Sequence, residues 1–446
     1  MDKRIIRYIN WLAVFALVGF AACSDDETGP GPNSSPTIQF TFDKLAVEMT
    51  KAVTLTVDVS DPDDDPLTVT WAVTRDGAPS GSLNPADQGS PSMRWTAPAQ
   101  TGRDTIRVVV SDGKGGTRTL VETIVTARLE VGVTVSQIWN KASGPYLMRP
   151  GTAFFVINER ATLTVDPGVE IYIDVDALDV SVVGSLDVNG TSGERVVFRP
   201  NSRNPEMGSW QGITASPSGE VPVVDLRHTD ILYAVDAIKA NEVAIVRLDG
   251  CRIKFSQENA VLHRSTGELR VENCVITDNN RTGIRIKRGP GVDVPETVVI
   301  SGDSIAVNGD LSGATPYDDD AGILIDIDDP VGTASIDISC NEISRNGTTG
   351  IQLANAVYPF IHHNAIFGNE RGKSGERFNI RLTNNFGGVI PTIDARNNYW
   401  GAPFTNPAAD STTIKRSIRD VEDAAGITVR VLIYEWLNEW PTPQCP

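Results

Sequence analysis

Leu226-Arg-His-Thr-Asp-Ile231, Leu248-Asp-Gly-Cys-Arg-Ile253 and Val271-Glu-Asn-Cys-Val-Ile276 are three copies of one six-residue pattern. Ile300-Ser-Gly-Asp-Ser-Ile305, Ile338-Ser-Cys-Asn-Glu-Ile343, Ile361-His-His-Asn-Ala-Ile366 and Ala395-Arg-Asn-Asn-Tyr-Trp400 continue it. The fourth column reads Thr229, Cys251, Cys274, Asp303, Asn341, Asn364, Asn398. Its shortest steps are 22 and 23 residues, and the longer ones are that period plus insertions, roughly 288–297, 306–320 and 368–378. A second apolar run follows in most copies, as in Ala237-Ile-Lys-Ala240, Gly283-Ile-Arg-Ile286, Gly350-Ile-Gln-Leu353 and Asn379-Ile-Arg-Leu382. Short strands recurring at this period, bent by Asn and Gly, predict a coil that stacks on itself at about 4.8 Å per layer. The Leu-x-x-Leu-x-Leu spacing of a leucine-rich repeat is absent.

Stacking turns the fourth column into a line of neighbours. Asn341, Asn364 and Asn398 are expected to form a ladder whose amides bond along the stack, with asparagine also tolerating the left-handed backbone of a tight corner. Cys251 and Cys274 share the column one coil apart, within disulfide range. They read either as a bonded pair or as small unbonded ladder residues. A stack has two open edges that need covering. Residues 127–160 are expected to cap the first, and 402–446 the second.

The repeat resembles the right-handed parallel β-helix of pectate-lyase-like proteins. Ala161-Thr-Leu-Thr-Val-Asp-Pro-Gly-Val-Glu-Ile171, Ser209-Trp-Gln-Gly-Ile213 and Asn397-Asn-Tyr-Trp-Gly401 look like the opening and closing coils of that family's bacterial surface members. The resemblance spans roughly 130–440 and implies a fold more than an activity, because the scaffold hosts many functions.

Upstream, Val53-Thr-Leu-Thr-Val-Asp-Val59, Leu67-Thr-Val-Thr-Trp71 and Thr105-Ile-Arg-Val-Val-Val110 alternate strictly between turn-forming clusters. That pattern predicts an antiparallel sandwich over 37–126. Asp61-Pro-Asp-Asp-Asp-Pro66 and Val110-Ser-Asp-Gly-Lys-Gly-Gly116 resemble the immunoglobulin-like, cadherin-like or PKD-like modules of bacterial surface proteins. Asp61, Asp63, Asp65 and Asp112 could gather hard oxygens for calcium at one end of the sandwich. The alternative is that they make turns and are solvated.

Trp11-Leu-Ala-Val-Phe-Ala-Leu-Val-Gly-Phe-Ala-Ala-Cys23, preceded by Lys3, Arg4 and Arg7, has the anatomy of an export signal. The run is shorter than the roughly 20 apolar residues a spanning helix needs. Phe20-Ala21-Ala22-Cys23 resembles the lipobox of bacterial lipoproteins, which implies cleavage after residue 22 and a lipid on Cys23. Residues 23–36, rich in Gly, Pro, Ser and Asp, have little to bury and read as a flexible tether. The expected destination is an outer membrane or cell surface.

The net charge is −18 at neutral pH. So acidic a chain argues against nucleic acid as a partner, since phosphate backbones need a cationic face. The cysteine spacing matches no zinc motif, and neither a Gly-x-Ser-x-Gly elbow nor a nucleotide loop occurs.

Catalytic candidates come only through the resemblance. Pectate-lyase-like enzymes set calcium-binding carboxylates beside a basic residue that abstracts a proton from a sugar acidified by the metal. Asp318, Asp320 and Asp326 with Arg285 or Lys287 can be drawn into such a set, with no family motif to anchor it, and the alternative is a solvated acidic loop. Gly283-Ile-Arg-Ile-Lys287 also resembles the Arg-Ile-Lys segment of polygalacturonases. Their Gly-His-Gly turn does not occur here, so Arg285 and Lys287 read as outward positions of an alternating strand. His362 and His363, as adjacent strand residues, are expected to face opposite ways and not to share a metal.

The expectation is therefore an all-β chain. It runs from a signal peptide (1–22) through a tether (23–36), an immunoglobulin-like sandwich (37–126) and a single-stranded right-handed parallel β-helix (127–401) to a C-terminal cap (402–446). Its expected role is that of a non-catalytic, membrane-tethered surface protein whose β-helix binds a polysaccharide or another cell-envelope component. A polysaccharide lyase or glycoside hydrolase acting on the insertion face is the rival, and a purely structural stalk is the third reading. Tyr317, Phe378 and Phe386 are the aromatics placed to stack on sugar rings.

Overall fold

The computed structural model describes residues 32–174, 176–288, 297–309, 320–327, 335–354, 359–369, 378–383 and 392–401, together with 414–415, 418–419, 430–433 and 436–437. Within them the regular elements are strands, apart from a 3-10 turn at Pro85–Asp87 and a helical pair at 414–415.

The first unit is a two-sheet sandwich. Thr37–Phe40, Ala52–Ser60, Ser92–Thr96 and Ser82–Leu83 form one antiparallel sheet in that order. Thr68–Arg75, Gly102–Ser111 and Thr117–Glu130 belong to the other. Alternation puts Leu55, Trp71, Trp95, Ile106, Val108 and Ile124 between them. The two indoles are buried with their N–H groups satisfied, Trp71 donating to the Ser90 carbonyl and Trp95 to that of Ser80, each at 2.9 Å.

The second unit is a stack of coils whose three strands per turn build three parallel sheets. Gln137–Trp139, Tyr146–Met148 and Phe154–Ile157 form the first coil. Each later coil repeats the trio in register, so that Ile213, Ile238, Val261, Ile284, Ile323, Ile351, Ile380 and Ile418 form one continuous interior row. That row and its counterparts on the other two sheets merge into one core running from Val133 to Ile433. Aliphatic stacking of this kind is what a quasi-one-dimensional fold offers in place of a globular centre.

Two corners of the coil have a fixed chemistry. Cys251 through Asn398 form the expected column. Asn341 Nδ2 donates to Asn364 Oδ1 at 2.9 Å, and Asn364 Nδ2 to Asn398 Oδ1 at 3.1 Å. The same oxygens accept the backbone N–H of the coil before, 2.9 Å for Asn341 and 2.8 Å for Asn364. Five residues downstream, Asn279, Asn308, Asn346 and Asn369 build a second ladder with amide contacts of 2.9, 3.0 and 3.0 Å. The left-handed residue is not the ladder asparagine, as its tolerance of that backbone suggested, but the one before it. Asn273, Cys340, His363 and Asn397 have φ of 58°, 64°, 55° and 57° ahead of the first ladder, and Asp278, Val307 and Arg345 have 60°, 60° and 55° ahead of the second. The turn is made at the left-handed residue, which swings the next side chain inward to bond along the stack.

Cys251 and Cys274 stand in the ladder as free thiols. Cys274 Sγ accepts the Cys251 N–H at 3.3 Å, while Cys251 Sγ lies 3.2 Å from the Leu226 carbonyl and Cys274 Sγ 3.2 Å from that of Glu272. Each sulfur thus occupies the ladder's hydrogen-bonding position, and the disulfide alternative is set aside. Cys340, by contrast, is disulfide-bonded.

Closure of the first coil differs from the expected cap. Residues 137–157 supply that coil's own strands, and its neighbour on one sheet is the sandwich strand Thr117–Glu130. That strand pairs antiparallel with Gly102–Ser111 over its first ten residues, then runs parallel to Tyr146–Met148 through Arg128–Glu130. At the other end, Ile418–Arg419 and Arg430–Leu432 add strands beyond Phe378–Thr383 and Thr392–Asp394.

Candidate functional site

The three insertions adjoin one sheet. Segment 288–297 follows Ile284–Arg288, segment 306–320 precedes Ala321–Ile327, and segment 368–378 precedes Phe378–Thr383. With Thr349–Ala354, these strands are consecutive in the ten-stranded sheet. Their outward positions follow from alternation: while Ile284 and Ile286 point inward, Arg285 and Lys287 point out.

Register lines up the outward side chains. Thr214, Lys239, Leu262, Arg285, Leu324, Gln352 and Arg381 form one line. Asn241 and Arg264 are partners in the next line, as are Lys287 and Asp326. On Ile238–Glu242, Val261–Ser265 and Ile284–Arg288, the outward positions are therefore Lys239, Asn241, Leu262, Arg264, Arg285 and Lys287. They hold four cations and no carboxylate. Lys239, Arg285 and Lys287 are half-buried and Arg264 is exposed. Glu242 marks one margin, where the backbone turns left-handed at φ 51°. Asp326 marks the other, 3.9 Å from Lys287 Nζ. Farther along, Leu324, Gln352 and Arg381 are buried despite facing out.

The candidate catalytic residues divide accordingly. Arg285, Lys287 and Asp326 share this face. Asp320 does not join them: it is fully buried at the coil corner, its Cβ 3.1 Å from where a side chain on Gly309 or Gly347 would begin. Its carbonyl accepts the Thr348 N–H at 2.9 Å, which fixes it as a corner residue out of a polymer's reach. Asp318, Tyr317 and Phe386 lie outside the described residues, as does Cys23. Phe378 is half-buried at the start of its strand. Lys239 and Arg264 were missed in the sequence, although both occupy the alternate position beside an inward Ile, Ala or His.

At the sandwich tip, oxygens of Asp61, Asp63 and Asp65 lie within 4.8 Å of one another. Asp61 Oδ1 accepts the N–H groups of Asp63 and Asp65 at 2.9 and 3.3 Å, so it is a turn-former. Asp112 is not part of that group. It accepts from Asn33 Nδ2 at 2.7 Å and from the Lys114 and Gly116 amides at 2.7 and 2.9 Å. Those bonds, the one from Asn33 foremost, hold its carboxyl below the usual range. Lys114 Nζ reaches Asp65 Oδ1 at 2.5 Å, which raises the lysine's pKa. The tip therefore contains a cation of its own.

Clefts flank the junction of the two units. The larger, about 490 Å³, is lined by Asp43, Lys44, Asp176, Asn204 and Glu206 among others, and the smaller, about 270 Å³, by Arg103, Lys141 and Glu170. Ion pairs join the two units beside both clefts, Lys44 with Asp174 at 3.3 Å and Arg103 with Glu170.

Comparison with known proteins agrees with this division. Residues 33–125 match the family model of the bacterial Ig domain, and residues 226–386 that of the right-handed β-helix region. No curated protein matches the chain. One solved structure, a nucleoside hydrolase-related hypothetical protein from Saccharophagus degradans associated with carbohydrate metabolism, aligns at 20% identity over 21% of this chain, with a TM-score of 0.18. The alignment spans a quarter (25%) of that protein's length. The chain is a bacterial Ig-like domain followed by a right-handed β-helix region.

Proposed function

We propose that this protein is a lipid-anchored surface protein, tethered through Cys23 to an outer membrane, whose β-helix binds an acidic polysaccharide without cleaving it. One observation carries the ligand class. In a chain of net charge −18, the outward positions of three successive strands present Lys239, Arg264, Arg285 and Lys287 and no carboxylate. Cations on coils about 5 Å apart form a ladder along the stack that suits an extended polyanion. The sheet is also the one that all three insertions adjoin, and loops on one face of a solenoid commonly form its binding surface.

The test is calorimetric titration of the full chain with polygalacturonate, alginate and neutral dextran at two salt concentrations. Binding to a uronate polymer that weakens with salt and is lost in Arg264→Glu/Lys287→Glu supports the reading. Equal affinity for dextran, or no effect of the charge reversal, overturns the choice of ligand. Release of unsaturated uronates that disappears in Arg285→Ala or Asp326→Ala would turn the reading to a lyase.

A further inference from the structure

His362 ends the strand Phe360–His362, and His363 follows in the left-handed corner position at φ 55°. That corner breaks the alternation on which the sequence expectation rested. Instead of facing opposite ways, the two rings bring their Nδ1 atoms to 2.8 Å. His362 Nε2 lies 3.1 Å from Asp337 Oδ1, and the Phe360 ring packs against the imidazole with centroids 4.2 Å apart. Both histidines are half-buried on the nine-stranded sheet's side of the coil, a different face from the cationic one.

An ionised carboxylate can only accept, so Asp337 places the proton of His362 on Nε2 and leaves the Nδ1 lone pair directed at His363. Two Nδ1 atoms at this separation are joined either by a hydrogen bond, the His363 N–H donating to His362, or by a metal ion that both ligate. A carboxylate behind a histidine whose other nitrogen converges on a second ligand is the outer-shell arrangement of metal-binding histidines. Nitrogens 2.0–2.1 Å from one metal are about 2.9 Å apart at a right angle and about 3.4 Å apart at the tetrahedral angle. The observed spacing fits the right angle, which tetragonal Cu²⁺ and Ni²⁺ prefer. Asp394, ion-paired to Arg396 at 2.7 Å, lies within electrostatic reach of His362.

We propose that His362 and His363 chelate one tetragonal divalent ion, Cu²⁺ or Ni²⁺, through their Nδ1 atoms, with Asp337 orienting His362 and water completing the coordination sphere. The protein's own coils supply conservative variants. Ser339 is the register partner of His362, and Asn397 occupies the corner equivalent to His363. His362→Ser and His363→Asn should therefore keep the fold.

The experiment is titration of the untagged full chain with CuCl₂ by calorimetry, with electron paramagnetic resonance of the 1:1 complex. The expected result is one ion per chain with the hyperfine signature of two nitrogens. Either variant should lose at least tenfold in affinity, Asp337→Asn about tenfold, and His228→Asn, in the same corner column farther down the stack, nothing. Melting curves of the variants separate loss of binding from loss of fold, and His362→Ser carries the test if His363→Asn unfolds. Wild-type affinity in a folded variant, or a spectrum without nitrogen coupling, would overturn the proposal and leave the pair joined only by a hydrogen bond.

Discussion

Asn201 of the solenoid closes both backbone polar groups of Ala46 in the sandwich: its Oδ1 accepts the Ala46 N–H at 2.6 Å and its Nδ2 donates to the Ala46 carbonyl at 2.9 Å. The same side chain also takes the Leu45 N–H at 3.0 Å and donates to Asp174 at 2.6 Å. Around it Ala46, Val125, Ala127, Leu147 and Tyr172 form a small apolar core. Arg149 bridges Glu48 and Asp174 at 3.1 and 2.6 Å, and Arg203 reaches Glu122 at 2.8 Å. With a strand shared by both units, this junction is a rigid seam rather than a linker.

A rigid seam has a thermodynamic consequence. The two units should unfold together, so Trp fluorescence and far-ultraviolet circular dichroism should give coincident melting curves. Asn201→Ala leaves the buried Ala46 groups unsatisfied at a cost of about 1–3 kcal/mol, and should lower both curves. Two well-separated transitions in the wild type would mean that the seam does not couple them.

Asp303 occupies a ladder position that asparagine holds in later coils. Its Oδ1 accepts the Cys274 N–H at 2.6 Å, and its own N–H goes to Asn341 Oδ1 at 2.9 Å. Burial pushes its carboxyl well above the usual range. With the folded pKa raised, its contribution to stability is fully present below about pH 4, the unfolded value, and is lost as the pH rises toward the folded pKa. Asp303→Asn supplies an uncharged amide at every pH. The variant should melt higher than the wild type at pH 8, with the gap narrowing toward pH 4. A gap independent of pH would mean that the carboxyl is not the titrating group.

The first ladder was legible because its column sits inside the repeated hexamer. The second has the same steps, Asn279 to Asn308 to Asn346 to Asn369, and was equally present in the sequence five residues on. Its asparagines lie outside the hexamer, between it and the next apolar run, where polar turn residues are common and no repeated flank marks them. The left-handed corner was harder to read: His228, Gly250, Asn273, Cys340 and His363 share a backbone conformation but no side-chain chemistry, and only the geometry unites them. That same corner reversed the expectation for His362 and His363. The cationic face was half legible, since Arg285 and Lys287 stood out beside a family-like motif. Lys239 and Arg264 needed the register to bring them alongside. Asp320 read as surface acid because its neighbours are acidic, yet its place opposite Gly309 and Gly347 is interior.

Asn364 shows what one ladder rung contributes. Replacing it with Ala strands the Asn341 N–H and the Ile338 carbonyl, both bonded to its side chain at 2.9 and 2.8 Å. Each buried orphan costs about 1–3 kcal/mol, so Asn364→Ala should lower the denaturant midpoint markedly. Asn364→Cys should cost less, since a sulfur already serves that position in Cys274. Equal losses for the two variants would show that the rung acts only by filling space.

Lys114 decides how the sandwich tip responds to calcium. Its ammonium, 2.5 Å from Asp65, neutralises part of the cluster from within. Added calcium must displace that cation or bind beside it, against repulsion in either case. A ligand that binds only the folded state raises the melting temperature in proportion to the logarithm of its concentration above the dissociation constant. Millimolar calcium should therefore leave the wild-type melting temperature almost unchanged. Lys114→Met removes the internal cation and leaves Asp61, Asp63 and Asp65 as uncompensated oxygens within 4.8 Å of one another. The variant should melt lower than the wild type without calcium and recover on adding it, whereas magnesium, which demands tighter octahedral geometry, should restore less. A wild-type shift as large as the variant's would show that the lysine leaves the cluster open to calcium. A variant indifferent to calcium would confine the three aspartates to their role in the turn.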